Sequence, residues 1–479
     1  MSLGDKIFSG MAWSAIERIS IQTVQFAIGI ILARILTPTE YGIIGILTVF
    51  IVISEVFIES GFSQALIQKQ DRTPEDISTV FLFNILISIF FYCILWFVSP
   101  LVANFYEIDQ LTQLLRVLAV TLLLNACFAV PSTLFTIKLD FKSLTKFNLT
   151  SVLISGAVAI YMAYSGYGVW ALVWQTIIRS GTKSILIWFF LKWRPSLVFS
   201  KSSFKKLFSF GSNILISSLL NAVVNNIYSL LIGKYTTTQD LGYYTRGTQF
   251  TSFIQKIIKS MLGRVLLPGL SQVQDQREVL IAYYRKIIRA TSVIVVPVFL
   301  LLAIVAEPLI LTLLTEKWLK AVPIMQIFCF ARMITLISGV NVNLLFVIGR
   351  TDLSLRQLIV KLAIRIVFFI FALKYGIIYI ALAELVSTII HFYVNTYYPG
   401  KIMSYGPFSQ FKDIAPIALS GLIMGGLTFS ILFFIDSNLI KLVVAPIVAL
   451  PIYAMFIKAF KIEESSIMVK KTKGFFKNK

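Results

Sequence analysis

The sequence is poor in charge, poorer in acid, and nearly without the side chains that build reactive centres. Only 14% of its 479 residues are Asp, Glu, Lys or Arg, against about a quarter in an ordinary soluble chain. It has one histidine and three cysteines. Cys93, Cys127 and Cys329 all fall inside apolar runs, without the paired spacing and polar surroundings of a disulfide framework or a zinc site. They read as small buried hydrophobes, and neither a metal nor a cofactor is expected. Met1 to Ser9 lacks the short apolar region and small-residue cleavage site of a secretion signal. No polar stretch is long enough to be a catalytic domain. What the chain has in excess is apolar surface: 57% of residues are hydrophobic and 14% aromatic. One soluble core cannot hide so much, which excludes a soluble enzyme and points to an all-α polytopic membrane protein.

A bilayer core of about 30 Å needs about 20 mostly apolar residues in a helix. Runs of that kind lie at 12–36, 42–66, 79–102, 112–135, 147–165 and 168–192. After a basic stretch from Trp193 to Lys206 they resume at 207–233, 241–268, 287–314, 322–346, 355–374, 376–398, 413–435 and 438–459. Fourteen spans are therefore expected, the one at 241–268 being the weakest because Arg246, Lys256, Lys259 and Arg264 interrupt it. The net charge of +21 then divides by position. With the N-terminus cytoplasmic, 27 Lys and Arg fall on the cytoplasmic face, 8 on the other face and 8 within the spans. Basic loops stay inside, so both termini are expected in the cytoplasm, and the tail from Lys458 against anionic headgroups.

The eight basic residues within spans are Arg18, Arg179, Lys183, Lys256, Lys259, Arg264, Arg332 and Arg365. Charge at membrane depth is costly and usually faces a wet cavity or a partner; Arg18 and Arg264, near cytoplasmic ends, could instead snorkel. Arg179 and Lys183 share a helix face, as do Lys256 and Lys259. Like charges so placed need an anion or a counter-charge opposite. The acids at depth are Glu17, Glu55, Glu59 and Glu384. Glu55, Glu59 and Glu384 are candidates for an ion-coupling site, for a proton or sodium, or for structural pairing with the arginines. His391 reads as hydrogen-bonded to a neighbouring helix rather than as a proton relay.

LARILTPTEYG at 32–42 aligns with IGKYTTTQDLG at 232–242, and Phe8-Ser9 with Phe208-Ser209 at the same offset of 200. Each segment closes the first span of a six-span group and opens the second, so the halves are parallel repeats, a transporter device. The expected organisation is a six-helix bundle over 1–200, a second over 201–400, and two further helices with a basic tail over 401–479, around a central cavity.

These residues also resemble a family. LARILTPTEYG at 32–42, ESGFSQALIQK at 59–69, STVFLFN at 78–84, GYGVWALVWQ at 166–175, IGKYTTTQDLGYYTRG at 232–247, VLLPGLSQVQ at 265–274 and GRTD at 349–352 make the chain similar to the polysaccharide transporters, or oligosaccharide flippases, of the multidrug/oligosaccharidyl-lipid/polysaccharide superfamily. O-antigen and exopolysaccharide exporters of the colanic-acid type look nearest. The resemblance implies two six-helix bundles and no enzymatic activity. It implies movement of a lipid-linked oligosaccharide, on undecaprenyl diphosphate, across a bacterial inner membrane. Glycosyltransferases and a polymerase of the pathway, and membrane lipids, are the implied partners of a monomer; nucleic acid is not one.

A diphosphate cannot cross hydrocarbon unaided, and Arg or Lys can replace its water. Arg179, Lys183, Lys256, Lys259, Arg332 and Arg365 are therefore the candidate substrate-binding residues, with Arg18 at the cytoplasmic mouth. Trp170, Trp174, Tyr243 and Tyr244 could stack on sugars but read more readily as packing or interfacial residues. A multidrug exporter for organic cations fits poorly, because cations at depth outnumber acids eight to four. A flippase for the peptidoglycan precursor is a nearer rival. A polymerase or polytopic glycosyltransferase needs a larger outer loop than that around Ala103 to Gln113, and a scaffold would not keep charge at depth.

Overall fold

The computed structural model describes residues 3–59 and 61–462; within them the side chains of residues 3–12, 14–16, 18, 209–210, 213–214, 217, 224–225, 264–265 and 267–269 lie outside the described set. The described residues form helices and no strands. In chain order the helices are α1 (Leu3–Ile35), α2 (Pro38–Glu59), α3 (Phe62–Gln68), α4 (Pro74–Tyr106), α5 (Gln110–Leu118), α6 (Val120–Ile137), α7 (Phe141–Tyr164), α8 (Trp170–Phe190) and α9 (Lys201–Tyr235). They continue with α10 (Thr238–Ser271), α11 (Arg277–Ile304), α12 (Ala306–Leu313), α13 (Ala321–Val347), α14 (Thr351–Ala372), α15 (Ile377–Met403), α16 (Pro407–Phe433) and α17 (Asn438–Ala459). Taking α2 with α3, α5 with α6 and α11 with α12, they make fourteen segments in the expected order. Among the described residues nine are long and apolar enough to cross a membrane by composition alone. α8 and α14 are more polar because they carry Arg179 and Lys183, and Arg356, Lys361 and Arg365. The interrupted run at 241–268 is one helix, α10.

Local chemistry sets several helix starts. Thr73 and Asp76 form a reciprocal capping box ahead of α4, with Pro74 in its first turn, so two otherwise orphaned N–H groups are satisfied. Asp140 and Ser200 cap α7 and α9 by accepting the backbone N–H of Ser143 and Ser203. The second span is broken at Gly61, whose φ of +70° suits a residue without Cβ.

The repeat is visible at its joints. α1 ends at Ile35 and α2 starts at Pro38; α9 ends at Tyr235 and α10 starts at Thr238, again 200 residues on. Thr37 donates its N–H to Glu40 Oε2 at 2.6 Å, and Thr237 donates to Asp240 Oδ2 at 3.4 Å. The two joints also touch reciprocally. A Cβ on Gly42 would strike the Thr238 carbonyl, and one on Gly242 would strike the Pro38 carbonyl, the equivalent atom.

The chain divides into two compact units, residues 1–242 and 243–479. In the first, α7 packs on α1 and α8, α6 on α4 and α8, and α9 on α2, α3 and α4. In the second, α13 packs on α11 and α15, α14 on α15, and α16 on α11 and α17. There α16 docks through polar groups: the exposed Arg285 donates through Nε and Nη2 to the buried Asp413 at 2.5 and 2.6 Å, and Tyr405 Oη donates to the same carboxylate at 2.6 Å. Gln410 Nε2 donates to Asn341 Oδ1 at 2.7 Å, which also accepts from Tyr284 Oη.

A proline inside a span removes one rung of the helical ladder and orphans the carbonyl four residues back. At four of the internal prolines, in α4, α6, α11 and α15, a neighbouring helix takes the orphan. Trp96 O, behind Pro100, accepts from Arg116 Nε at 3.2 Å. Cys127 O, behind Pro131, accepts from Trp188 Nε1 at 3.0 Å. Val293 O, behind Pro297, accepts from Tyr453 Oη at 3.0 Å. Asn395 O, behind Pro399, accepts from Gln357 Nε2 at 3.2 Å. Inside hydrocarbon no water would do this, so the partner has to come from the protein.

Candidate functional site

The first unit holds a polar cavity of about 370 Å³, room for roughly twelve waters at the ≈ 30 Å³ each occupies in the liquid. Four helices build it. α2 contributes Glu55 and Glu59, one turn apart; α3, beyond the Gly61 break, contributes Ser63, Gln64 and Ile67. α6 contributes Asn125, Phe128, Ala129, Ser132, Thr133 and Thr136, a stripe at helical spacing, and α8 contributes Lys183. Asn125 Nδ2 donates to Glu55 Oε1. The Lys183 ammonium sits 4.2 Å above the Phe128 ring, within electrostatic reach of Glu59 and Arg179. Arg179, one turn before Lys183, feels the Glu55 carboxylate, and its two Nη atoms lie 2.5 and 3.0 Å from the Gln25 amide oxygen once that amide is turned to accept. Glu17 accepts from Asn148 Nδ2. Arg179 and Lys183 thus stand among carboxylates and amides, with hydroxyls leading away along α6.

The second unit has its own charged group, on α13, α14 and α15. Arg365 Nη2 donates to Glu384 Oε1 at 2.7 Å, the acid being buried. One turn before Arg365, Lys361 Nζ donates to Asn395 Oδ1 at 2.9 Å, and the Lys361 carbonyl lies 3.0 Å from His391 Nε2. Asn395 in turn donates to Ser338 Oγ at 2.6 Å. Arg332 lies over the Phe328 ring at 5.1 Å, whose other neighbour is the Tyr244 ring at 5.5 Å. Tyr244 is within electrostatic reach of Arg332, Arg365 and Glu384.

Of the residues singled out in the sequence, Arg179, Lys183, Glu55 and Glu59 meet in the first unit, and Arg332, Arg365 and Glu384 in the second. Lys256 and Lys259 are exposed on α10, and the described contacts bring them to neither group. The side chain of Arg18 lies outside the described residues, as does that of Arg264. Tyr243 packs edge-on against Trp318 at 6.2 Å, the packing role expected of it. The sequence reading passed over Lys361, Asn395, Gln25 and the α6 hydroxyls. Ser132, Thr133 and Thr136, at helical spacing after Asn125, were a legible signal for the last of these. Among the described residues no group of three His, Cys, Asp or Glu side chains is placed to hold a metal ion.

Comparison with known proteins gives a consistent picture. The family described as polysaccharide biosynthesis protein matches residues 31–323. The chain is 27% identical over 358 residues to the teichuronic acid biosynthesis protein TuaB of Bacillus subtilis (strain 168), covering 74% of each chain. It is 22% identical over 358 residues to the lipopolysaccharide biosynthesis protein WzxC of Escherichia coli (strain K12), covering 74% of this chain and 73% of that one. Its fold is similar to that of the lipid II flippase MurJ in an inward closed conformation, with a TM-score of 0.74 at 15% identity over 95% of this chain and 98% of that one.

Proposed function

The chain belongs to the polysaccharide biosynthesis protein family, and from that premise we propose that it is a flippase. It carries an oligosaccharide repeat unit, linked to undecaprenyl diphosphate, across the inner membrane of a bacterium by alternating access, for O-antigen, exopolysaccharide or capsule assembly. It moves this passenger without a covalent step. The observation that carries the reading is charge held at depth. Two groups of Arg and Lys sit on helices of a multi-pass membrane protein, one of them beside a cavity lined with amides and hydroxyls. Cations kept away from water suit an anionic passenger, and hydroxyl-rich walls suit sugars.

In this reading Arg179, Lys183, Lys256, Lys259, Arg332 and Arg365 serve the diphosphate, with Arg18 at the cytoplasmic mouth. Glu55, Glu59 and Glu384 couple transport to a cation. The repeat units 1–200 and 201–400 are the bodies that rock, and 401–479 adds two helices and a tail. Both termini are cytoplasmic, and the chain works as a monomer beside the glycosyltransferases and polymerase of its pathway.

Deletion of the gene and complementation with variants tests this. Cells lacking the protein should lose surface polysaccharide and accumulate lipid-linked repeat units in the cytoplasmic leaflet, without lysis. Arg179→Ala should fail to restore export although the protein inserts. Normal surface polysaccharide in the deletion strain would refute the proposal, and lysis for want of peptidoglycan would replace it with the precursor-flippase reading.

A further inference from the structure

Between α8 and α9 the chain runs from Leu191 to Ser200 without regular structure, yet it is fastened to the first unit at several points. Trp193 packs against the Phe81 and Trp188 rings at 5.8 and 6.1 Å. Ser196 donates its N–H and its hydroxyl to Ser78 Oγ at 3.2 and 2.9 Å, and the Ser200 N–H donates to Thr79 Oγ1 at 3.0 Å. Ser78 and Thr79 are buried residues of α4. One side of this strap is committed to the protein in this way. What lies between the two serines is left outside: Leu197 is 91% exposed, and Val198 and Phe199 beside it are exposed as well. Three consecutive apolar side chains held out of the fold are a liability in water and mark a surface that meets something else.

Charge specifies what they meet. Lys192, Arg194, Lys201, Lys205 and Lys206 flank the apolar triplet and are exposed. No Asp or Glu occurs between Asp140 and Asp240, and no ion pair among the described residues engages the four lysines. Lys201 also opens α9, whose first turn has no acid, at the end of a helix where positive charge is disfavoured. Helix stability does not account for that placement, whereas an acidic surface does. The basic tail from Lys458 and a second copy of the strap carry the same sign and would be repelled. The strap joins the ends of two spans, so its neighbour is the bilayer surface. Ile185 and Phe189, one turn apart on α8 and both exposed, carry an apolar face down to it.

We infer that residues 191–200 are a docking strap for an anionic lipid leaflet. Leu197, Val198 and Phe199 enter the boundary between headgroups and acyl chains, and the flanking Lys and Arg meet lipid phosphates. Apolar insertion and electrostatic attraction together hold such segments at a membrane surface. The docking needs neither a passenger nor a direction of transport, and it gives the strap a partner apart from the polar cavity. Through Ser78 and Thr79 the strap moors the start of α4 at the level of the headgroups.

The test uses the full-length chain, with Cys93, Cys127 and Cys329 replaced, in nanodiscs of phosphatidylcholine with or without phosphatidylglycerol. A fluorophore on Leu197→Cys should be quenched by a nitroxide on the lipid chain and shielded from aqueous iodide. Adding phosphatidylglycerol should raise the nitroxide quenching about twofold, and combining Lys192→Gln, Lys201→Gln, Lys205→Gln and Lys206→Gln should remove that gain. High salt asks the same of the unsubstituted lysines and should remove it too. The same fluorophore on Ser165→Cys, in the turn before α8, is the control. Its signal should ignore both the anionic lipid and the four substitutions, which also shows that the variant is folded. Iodide quenching that prevails at Leu197→Cys in both lipids would overturn the inference and leave the patch to a protein partner. Nitroxide quenching indifferent to phosphatidylglycerol, to salt or to the loss of four lysines would overturn it as well, because apolar contact alone does not need the charges.

Discussion

Gly42 and Gly242 lack a side chain where each helix meets the backbone of the other repeat's joint, at Thr238 and Pro38. Backbone cannot retreat as the tip of a long side chain can, so Gly42→Val should cost about 1–3 kcal/mol by overpacking. It should lower the thermal midpoint of the purified protein and its yield in membranes. Gly426→Ala is the control: nothing lies within 4 Å of a Cβ there, and the midpoint should hold or rise. An unchanged midpoint for Gly42→Val would show that the joints separate freely. Lys183 invites a different substitution. Without its ammonium, Glu55 and Glu59 lose a cation within reach of Glu59, and the two acids repel more strongly. Lys183→Ala should abolish surface polysaccharide while the protein still inserts, and Lys183→Arg should restore part of it. Equal export from both variants would mean that the charge at this position is idle.

At the scale of the helix, the four prolines and their captured carbonyls show how irregular backbone is kept inside hydrocarbon. Tyr453→Phe removes the donor to Val293 O and should cost about 0.6 kcal/mol, and up to about 1.7, the range for hydrogen bonds between membrane helices. Pro297→Ala returns an N–H to the same carbonyl. In that background Tyr453→Phe should cost next to nothing, as read from unfolding midpoints in detergent; equal costs in both backgrounds would deny the link. This part of the fold was only half legible. The prolines stand in the sequence, but the donors lie 20 residues away for Arg116 and Trp96 and 160 away for Tyr453 and Val293, so only packing reveals them. The spans and the joints at 35–38 and 235–238 were legible, because apolar run length and the Thr-x-x-acid signature are local. Which charges interrupt the apolar runs was legible residue by residue, although Lys361 of α14 was read as a loop charge. Their grouping was not: whether Glu384 serves a cation or answers Arg365 depends on α14 lying against α15.

For the whole molecule the governing quantity is the asymmetry of basic charge expected from the sequence, 27 residues on one face against 8 on the other. Insertion leaves Lys- and Arg-rich loops in the cytoplasm. An offset spanning an even number of helices makes the second repeat obey the orientation of the first, so one measurement near each end of the chain checks both. Three exposed turns offer the sites: Asp71 between α3 and α4, Ser165 between α7 and α8, and Asp436 between α16 and α17. Cys93, which is exposed, must first be replaced along with Cys127 and Cys329. In spheroplasts a membrane-impermeant maleimide should then label Ser165→Cys and Asp436→Cys, and reach Asp71→Cys only after lysis. The reverse pattern would invert the protein. Because Asp71 follows directly on α3, whose residues Ser63, Gln64 and Ile67 line the polar cavity, inversion would also place that end of the cavity on the side where the finished repeat unit is released. Labelling at Asp71 from outside would therefore count against orientation and direction of transport together, whereas protection at Asp71 with labelling at the other two sites supports loading from the cytoplasm.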